Sequence, residues 1–202
     1  MHIACLDLEG VLIPEIWVGL AERTGIADLR ATTRDVPDYD QLMRQRLRLL
    51  NQHKLGLPDI QAVISTLAPL PGAREFLDWL RERCQVVILS DTYYEFALPL
   101  MRQLGYPTLM CHKLSVDENG RVIDYHLRQK DPKRQAVKAF HALNFKVIAA
   151  GDSYNDTSML SEADAGIFYC PPENVARAFP QFPVARNYEE LKSAFAEAIA
   201  RL

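Results

Sequence analysis

Two carboxylates, Asp7 and Glu9, stand one residue apart where the apolar run HIACL gives way to DLEGV. In an extended segment residues i and i+2 share a side, so both groups address one point beyond the strand end. Unpaired buried charge is costly, which leaves such a pair solvated, ion-paired or bound to a cation. Gly10, directly after them, permits close main-chain approach or an unusual turn.

Three further clusters carry groups of matching chemistry. Ser90-Asp91-Thr92 ends the run QVVIL, and Thr92 with Glu95 fits the capping box T-x-x-E. That leaves the Ser90 hydroxyl and free N–H groups at a helix N-terminus as a cradle for phosphate. In DPKRQAV, Asp131 suits an N-cap and Pro132 the first helical position, so Lys133 and Arg134 fall in the first turn, against the helix dipole. A solvated lysine tolerates this at a cost of about 0.3–1 kcal/mol; a bound anion removes the conflict. In GDSYND, Ser153 and Asp156 again fit a capping box. Asp152 at the strand terminus, together with Asp7, would supply the few hard oxygens by which Mg²⁺ is held.

The elements that must position these groups follow one grammar. IACLDLEG, QVVILSDT and FKVIAAGDSYND are each a short buried run ending abruptly in polar residues, with a helical pattern after it. Such runs read as parallel strands of a doubly wound α/β sheet, whose ligands bind outside the carboxyl ends of the strands. The polar clusters should therefore converge. KLSVDENGRVIDYHL places two alternating runs around Asp117 to Gly120, a hairpin signal. A short apolar run near Gly166 to Tyr169 and a C-terminal helix from about Tyr188 complete the pattern.

Roughly 75 residues separate the first and second strands, far more than a simple crossover needs. Residues 14–71 read as a helical cap insertion, with helices at 14–25, 38–52 and 58–67, and residues 1–13 and 72–202 as the catalytic core. In the helix DYDQLMRQRLRLL, Tyr39, Met43, Arg46, Leu47 and Leu50 share one face, while Arg44 and Arg48 lie opposite. An inward arginine needs an anion, either a protein acid or a ligand carboxylate or phosphate.

Composition narrows the function class. The chain has 202 residues, 23 Lys and Arg against 26 Asp and Glu, and a net charge of −3, so it lacks the global basic field of nucleic-acid binders. No apolar stretch approaches the ~18 residues of a membrane span, and acids at 7 and 9 interrupt any signal-peptide pattern. Cys5, Cys84, Cys111 and Cys170 are scattered without a metal-binding spacing, as in reduced cytoplasmic proteins.

Taken in order, Asp7-x-Glu9, Ser90, Lys133 and Gly151-Asp152-x-x-Asn155-Asp156 resemble the four motifs of the haloacid dehalogenase superfamily. A receiver-type signalling domain has related groups, but its lysine comes last, whereas here GDSYND follows Lys133. A non-catalytic binder would lack the nucleophile, and a phosphatase of another small monoester is the remaining alternative. The insertion is similar to that of phosphoserine phosphatases. Glu9 in place of Asp, and Ser90-Asp91-Thr92 in place of Ser-Gly-Gly, resemble a bifunctional branch that hydrolyses phosphoserine or transfers its phosphate to homoserine.

The resemblance implies Asp7 as nucleophile, Glu9 as general acid and base, and Mg²⁺ held by Asp7, Asp152 and the Glu9 carbonyl. It places Ser90, Asp91, Lys133 and Asn155 around the phosphate, Glu15 and Arg46 on the amino and carboxylate groups, and Tyr39 in the pocket wall. The partners implied are the small molecules phosphoserine and homoserine, with neither nucleic acid nor membrane, and a homodimer is compatible with it.

Overall fold

The computed structural model describes residues 1–32, 35–36 and 38–202. Its centre is a seven-stranded sheet of order β4-β3-β2-β1-β5-β6-β7. The strands are β1 (His2–Leu6), β2 (Gln85–Tyr93), β3 (Thr108–Val116), β4 (Val122–His126), β5 (Lys146–Gly151), β6 (Ala165–Tyr169) and β7 (Val184–Ala185). All neighbours are parallel except β3 and β4, which form the expected antiparallel hairpin. β1 lies between β2 and β5, so the three strands with polar ends stand side by side.

The unbroken apolar runs are explained by burial on both faces. Ala4 and Leu6 of β1 pack into one cluster, with Phe76 and Leu77 of α4 (Ala73–Arg81), Phe96 and Leu100 of α5 (Tyr94–Gln103), and Leu191 and Phe195 of α9 (Tyr188–Arg201). Ile3 and Cys5 pack into the other, with Val137 of α6 (Pro132–Ala142), Met159 of α7 (Thr157–Glu162) and Val175 of α8 (Glu173–Ala178). Alternate side chains of a strand point to opposite faces, so helices on both sides require apolar residues at every position.

Between β1 and α4 lie α1 (Ile16–Thr24), a 3₁₀ turn at Ala27–Arg30, α2 (Tyr39–Gln52) and α3 (Leu57–Ile64). These match the three expected helices to within a few residues, and their apolar faces join the first cluster through Trp17, Leu20, Met43, Leu47 and Ile60. On α2, Met43, Arg46, Leu47 and Leu50 are buried, and Arg44 and Arg48 are exposed, as the helical spacing requires. Residues 33, 34 and 37 of the insertion lie outside the described set.

One local expectation fails. Thr92 and Glu95 do not form a capping box: β2 continues to Tyr93, where its register with β3 shifts, and α5 starts at Tyr94 with no side-chain cap. The extra strand pairing outweighs the local cap. Glu95 instead accepts the Leu114 N–H of β3 at 3.0 Å. The four cysteines are free. Among the described residues, no helix is long and apolar enough to cross a membrane.

Candidate active site

At the end of β1 the main chain turns sharply. Asp7 is still in the sheet, its N–H donating to the Ala150 carbonyl at 2.9 Å, whereas Gly10 N–H donates to Ile13 O at 2.8 Å. Gly10 has φ +78°, and a Cβ there would stand 2.5 Å from the Asp152 carboxyl carbon. Both reasons for a glycine therefore hold: left-handed backbone, and a close approach to the acid at the end of β5.

Lys133 binds the strand ends together. Its Nζ lies 2.8 Å from Asp7 Oδ1, 2.7 Å from Asp156 Oδ1 and 3.6 Å from Asp91 Oδ2. The side chain is 3% exposed, which rules out the solvated lysine. Pro132 opens α6 as expected, but Asp131 does not cap it; its φ is +49° and its carboxylate accepts the Ser158 hydroxyl instead. Lys133 is thus fixed in an unfavourable place on the dipole by carboxylates from three other segments.

Asp156 is more than a cap. Its Oδ2 accepts the N–H groups of Asp152 and Ser153 at 2.9 and 3.0 Å and the Ser153 hydroxyl at 3.1 Å, while Oδ1 takes Lys133. One carboxylate oxygen each from Asp7, Asp152 and Asp156 falls within 4.8 Å of the others. Burial and then the Asp156 charge raise the Asp7 carboxyl well above the usual range, against the pull of Lys133. The same two causes push Asp152 up to about 7. Crowded hard oxygens of like charge fit a divalent cation of the Mg²⁺ type. Both Asp156 oxygens are already engaged, which leaves Asp7 and Asp152 as the acids of the cluster with oxygens free for an ion.

Glu9 faces the insertion. Its Oε2 accepts the Ile16 N–H at 2.9 Å, and the Thr92 hydroxyl also bonds the carboxylate. Burial, then the neighbouring Glu15 charge, push the Glu9 carboxyl up to about 8. A carboxyl so placed exchanges protons near neutral pH.

All ten candidate residues line one cavity of about 610 Å³: Asp7, Glu9, Glu15, Tyr39, Arg46, Ser90, Asp91, Lys133, Asp152 and Asn155. Ser90 is buried but sits within β2 rather than at a helix N-terminus; its Oγ accepts the Thr92 N–H at 3.2 Å. Asn155 donates to Asp91 Oδ2 at 3.2 Å, and the Tyr39 and Tyr93 hydroxyls are bonded at 2.8 Å. Glu15 is exposed at the start of α1. Arg46 is buried, donates from Nη2 to Ala31 O at 2.8 Å and stacks on the Trp17 ring at 4.4 Å. Among the described residues it has no salt bridge with a protein acid, and its buried Nε has no partner.

Sequence reasoning missed Trp17, Thr92 and His112, which also line the cavity. Trp17 falls two residues after Glu15 and carried an aromatic signal; His112, inside a strand of alternating residues, carried none.

A sequence model of the haloacid dehalogenase-like hydrolases matches residues 1–164. The chain belongs to that family. Among these hydrolases, it is 68% identical over 201 residues to the phosphoserine phosphatase ThrH of Pseudomonas aeruginosa, covering 100% of this chain and 98% of that protein. It is also 68% identical to a phosphoserine phosphatase of Pseudomonas syringae pv. tomato, covering 100% of this chain and 85% of the other. Its fold is that of a phosphoserine phosphatase solved in apo form, with a TM-score of 0.78 at 19% identity over 95% of this chain and 98% of the other. A phospho-aspartyl intermediate analogue of phosphoserine phosphatase superposes with a TM-score of 0.77 at 18% identity, over 95% and 97% of the two chains.

Proposed function

We propose that this hydrolase removes phosphate from O-phosphoserine through an aspartyl-phosphate on Asp7 and passes it to water or to homoserine. The observation that carries the reading is the cavity itself. Asp7 and Glu9 line the same space as Arg46, a buried guanidinium with an unused N–H. A small amino acid bearing both a phosphate and a carboxylate matches a cavity that offers both sets of groups. The 68% identity to two phosphoserine phosphatases supports the choice of substrate.

In the first step an Asp7 oxygen attacks phosphorus, the bond to the seryl oxygen breaks, and Glu9 gives that oxygen its proton. In the second step Glu9 takes a proton from water or from the homoserine hydroxyl as it attacks the phosphoenzyme, and the Asp7 carboxylate is released. Ser90, Lys133 and Asn155 hold phosphate oxygens, while Arg46 and Glu15 hold the carboxylate and ammonium. A Mg²⁺ ion held by Asp7, Asp152 and the Glu9 carbonyl would neutralise phosphate charge. Residues 14–71 serve as a cap that closes the cavity and excludes bulk water. Homoserine is longer than serine by one methylene, and such a difference is worth only about 1–3 kcal/mol in a pocket, so one pair of recognition groups serves donor and acceptor.

Two measurements test this. Arg46→Ala should abolish turnover of phosphoserine while sparing most turnover of p-nitrophenyl phosphate; equal losses would make Arg46 a fold residue. Phosphorus NMR of enzyme, Mg²⁺ and phosphoserine should show a second phosphate monoester only when homoserine is added; inorganic phosphate alone in both samples would overturn the transfer step.

A further inference from the structure

The two-step reaction leaves His112 without a task, and Asp91, which the resemblance places around the phosphate, is an anion with no hydrogen to give a phosphate oxygen, although both line the cavity. His112 is buried on β3, opposite Tyr93 of β2. Its Nδ1 accepts the Arg128 main-chain N–H at 3.1 Å, which leaves Nε2 as the ring's donor. That Nε2 points at Asp91 Oδ1, 3.6 Å away. The other Asp91 oxygen takes the Asn155 amide and lies 3.6 Å from Lys133 Nζ. Asp91 is thus hydrogen-bonded by Asn155 and flanked by His112 and Lys133 at one place in the wall.

Its charge is surplus to the needs of Lys133, which already has Asp7 and Asp156 at 2.8 and 2.7 Å. Burial works to raise the Asp91 carboxyl, but Lys133, His112 and Asn155 outweigh it and hold the group well below the usual range. An anion is therefore fixed beside the Ser90 and Lys133 groups that receive phosphate.

We propose that Asp91, positioned by His112, is a fixed negative charge that weakens the pocket's hold on free phosphate and so promotes product release. Like charges in one site oppose each other. Phosphoserine meets the same repulsion but recovers its affinity through Arg46 and Glu15, which inorganic phosphate cannot reach, so the cost falls on the product. The inference rests on the phosphate pocket of the proposed function, though not on the identity of the alcohol.

The experiment is a calorimetric titration of the Mg²⁺-loaded enzyme with inorganic phosphate. Asp91→Asn keeps the shape and removes the charge; its Kd for phosphate should fall about tenfold, with a parallel fall in the inhibition constant of phosphate. An unchanged or higher Kd overturns the proposal. The positioning role of His112 is read from a cycle. Gln at 112 can keep an N–H near Nε2, whereas Asn can keep only the acceptor for the Arg128 N–H. The effect of Asp91→Asn should persist in the His112→Gln background and shrink in the His112→Asn background; the same effect in both removes His112 from the proposal. Phosphate binding does not depend on which monoester is hydrolysed. Failure of phosphoserine turnover would therefore overturn the proposed function and leave this result standing.

Discussion

The Glu9 carboxylate accepts the main-chain N–H of Ile16 at 2.9 Å, closing the start of α1 from outside the helix. Glu15, at the N-cap position itself, makes no such bond. The residue proposed for proton transfer is therefore also the tie between the catalytic turn and the first helix of the insertion. An Asp at 9 would be shorter by one C–C bond, about 1.5 Å, and would lose this contact.

From this relationship, Glu9→Asp should lower stability by about 1 kcal/mol, the usual cost of losing a helix cap, as read from urea unfolding. It should also raise hydrolysis relative to transfer, because the shorter acid leaves room for water beside the acceptor. Phosphorus NMR with homoserine present measures the ratio. An unchanged ratio would leave the Glu without a role in acceptor choice.

Asp7 and Asp156 share Lys133 but should respond in opposite ways. Asp156→Ala strips Lys133 of a partner and leaves the Asp152 and Ser153 N–H groups unsatisfied, so a loss of about 3–5 kcal/mol is expected. Asp7→Asn removes one charge from a crowded acidic set whose burial already disfavours the carboxylate. In chelator its melting temperature should equal or exceed that of the parent, with turnover and phosphoenzyme both abolished. Retained turnover would sink the nucleophile assignment.

Gly10→Ala should act on the cation rather than on the substrate. The new methyl would meet the Asp152 carboxyl at 2.5 Å in a left-handed backbone, so either the turn or Asp152 must move. Titration calorimetry should show Mg²⁺ affinity at least tenfold weaker; an unchanged affinity would mean that Asp152 does not hold the ion.

Acid sensitivity should have a source remote from the site. Asp164 accepts the Val147 N–H at 2.8 Å and lies 2.9 Å from Lys146 Nζ and 2.8 Å from His141 Nε2. Burial would raise its carboxyl, but these partners outweigh it and hold the group at about 2. A depressed folded value contributes stability above the unfolded pKa of about 3.9 and loses it as pH falls through the folded one. After a discount for solvent screening the contribution is on the order of 1 kcal/mol. Asp164→Asn should be less stable than the parent at pH 7 by that amount, and the two should converge near pH 2 in urea titrations.

The three strand ends were legible because each combines an unbroken apolar run with an abrupt polar stop, a signal contained within a dozen residues. Arg46 was legible because helical spacing alone puts it on the apolar face. Thr92 misled because a capping pattern is local, whereas the pairing that carries β2 through Tyr93 is supplied by β3. Asp156 was read as a cap and is one, yet its bond to Lys133 spans 23 residues and needs α6 to dock beside β5. His112 was silent for the same reason: its place in the cavity depends on pairing with Tyr93, nineteen residues earlier.

The position of β1 at the middle of the sheet also constrains the order in which the fold can assemble. β1 pairs with β2, some 80 residues further along the chain, and with β5, some 144 residues further along. The Asp7 N–H finds its partner only in Ala150. The turn after it waits longer still, because the Tyr188 hydroxyl on the C-terminal helix donates to Val11 O at 2.7 Å. Contacts so distant along the chain form late. Asp7 is therefore seated only after β5 and the helix that bears Tyr188 have joined the sheet, so the cavity cannot take shape before most of the fold has formed.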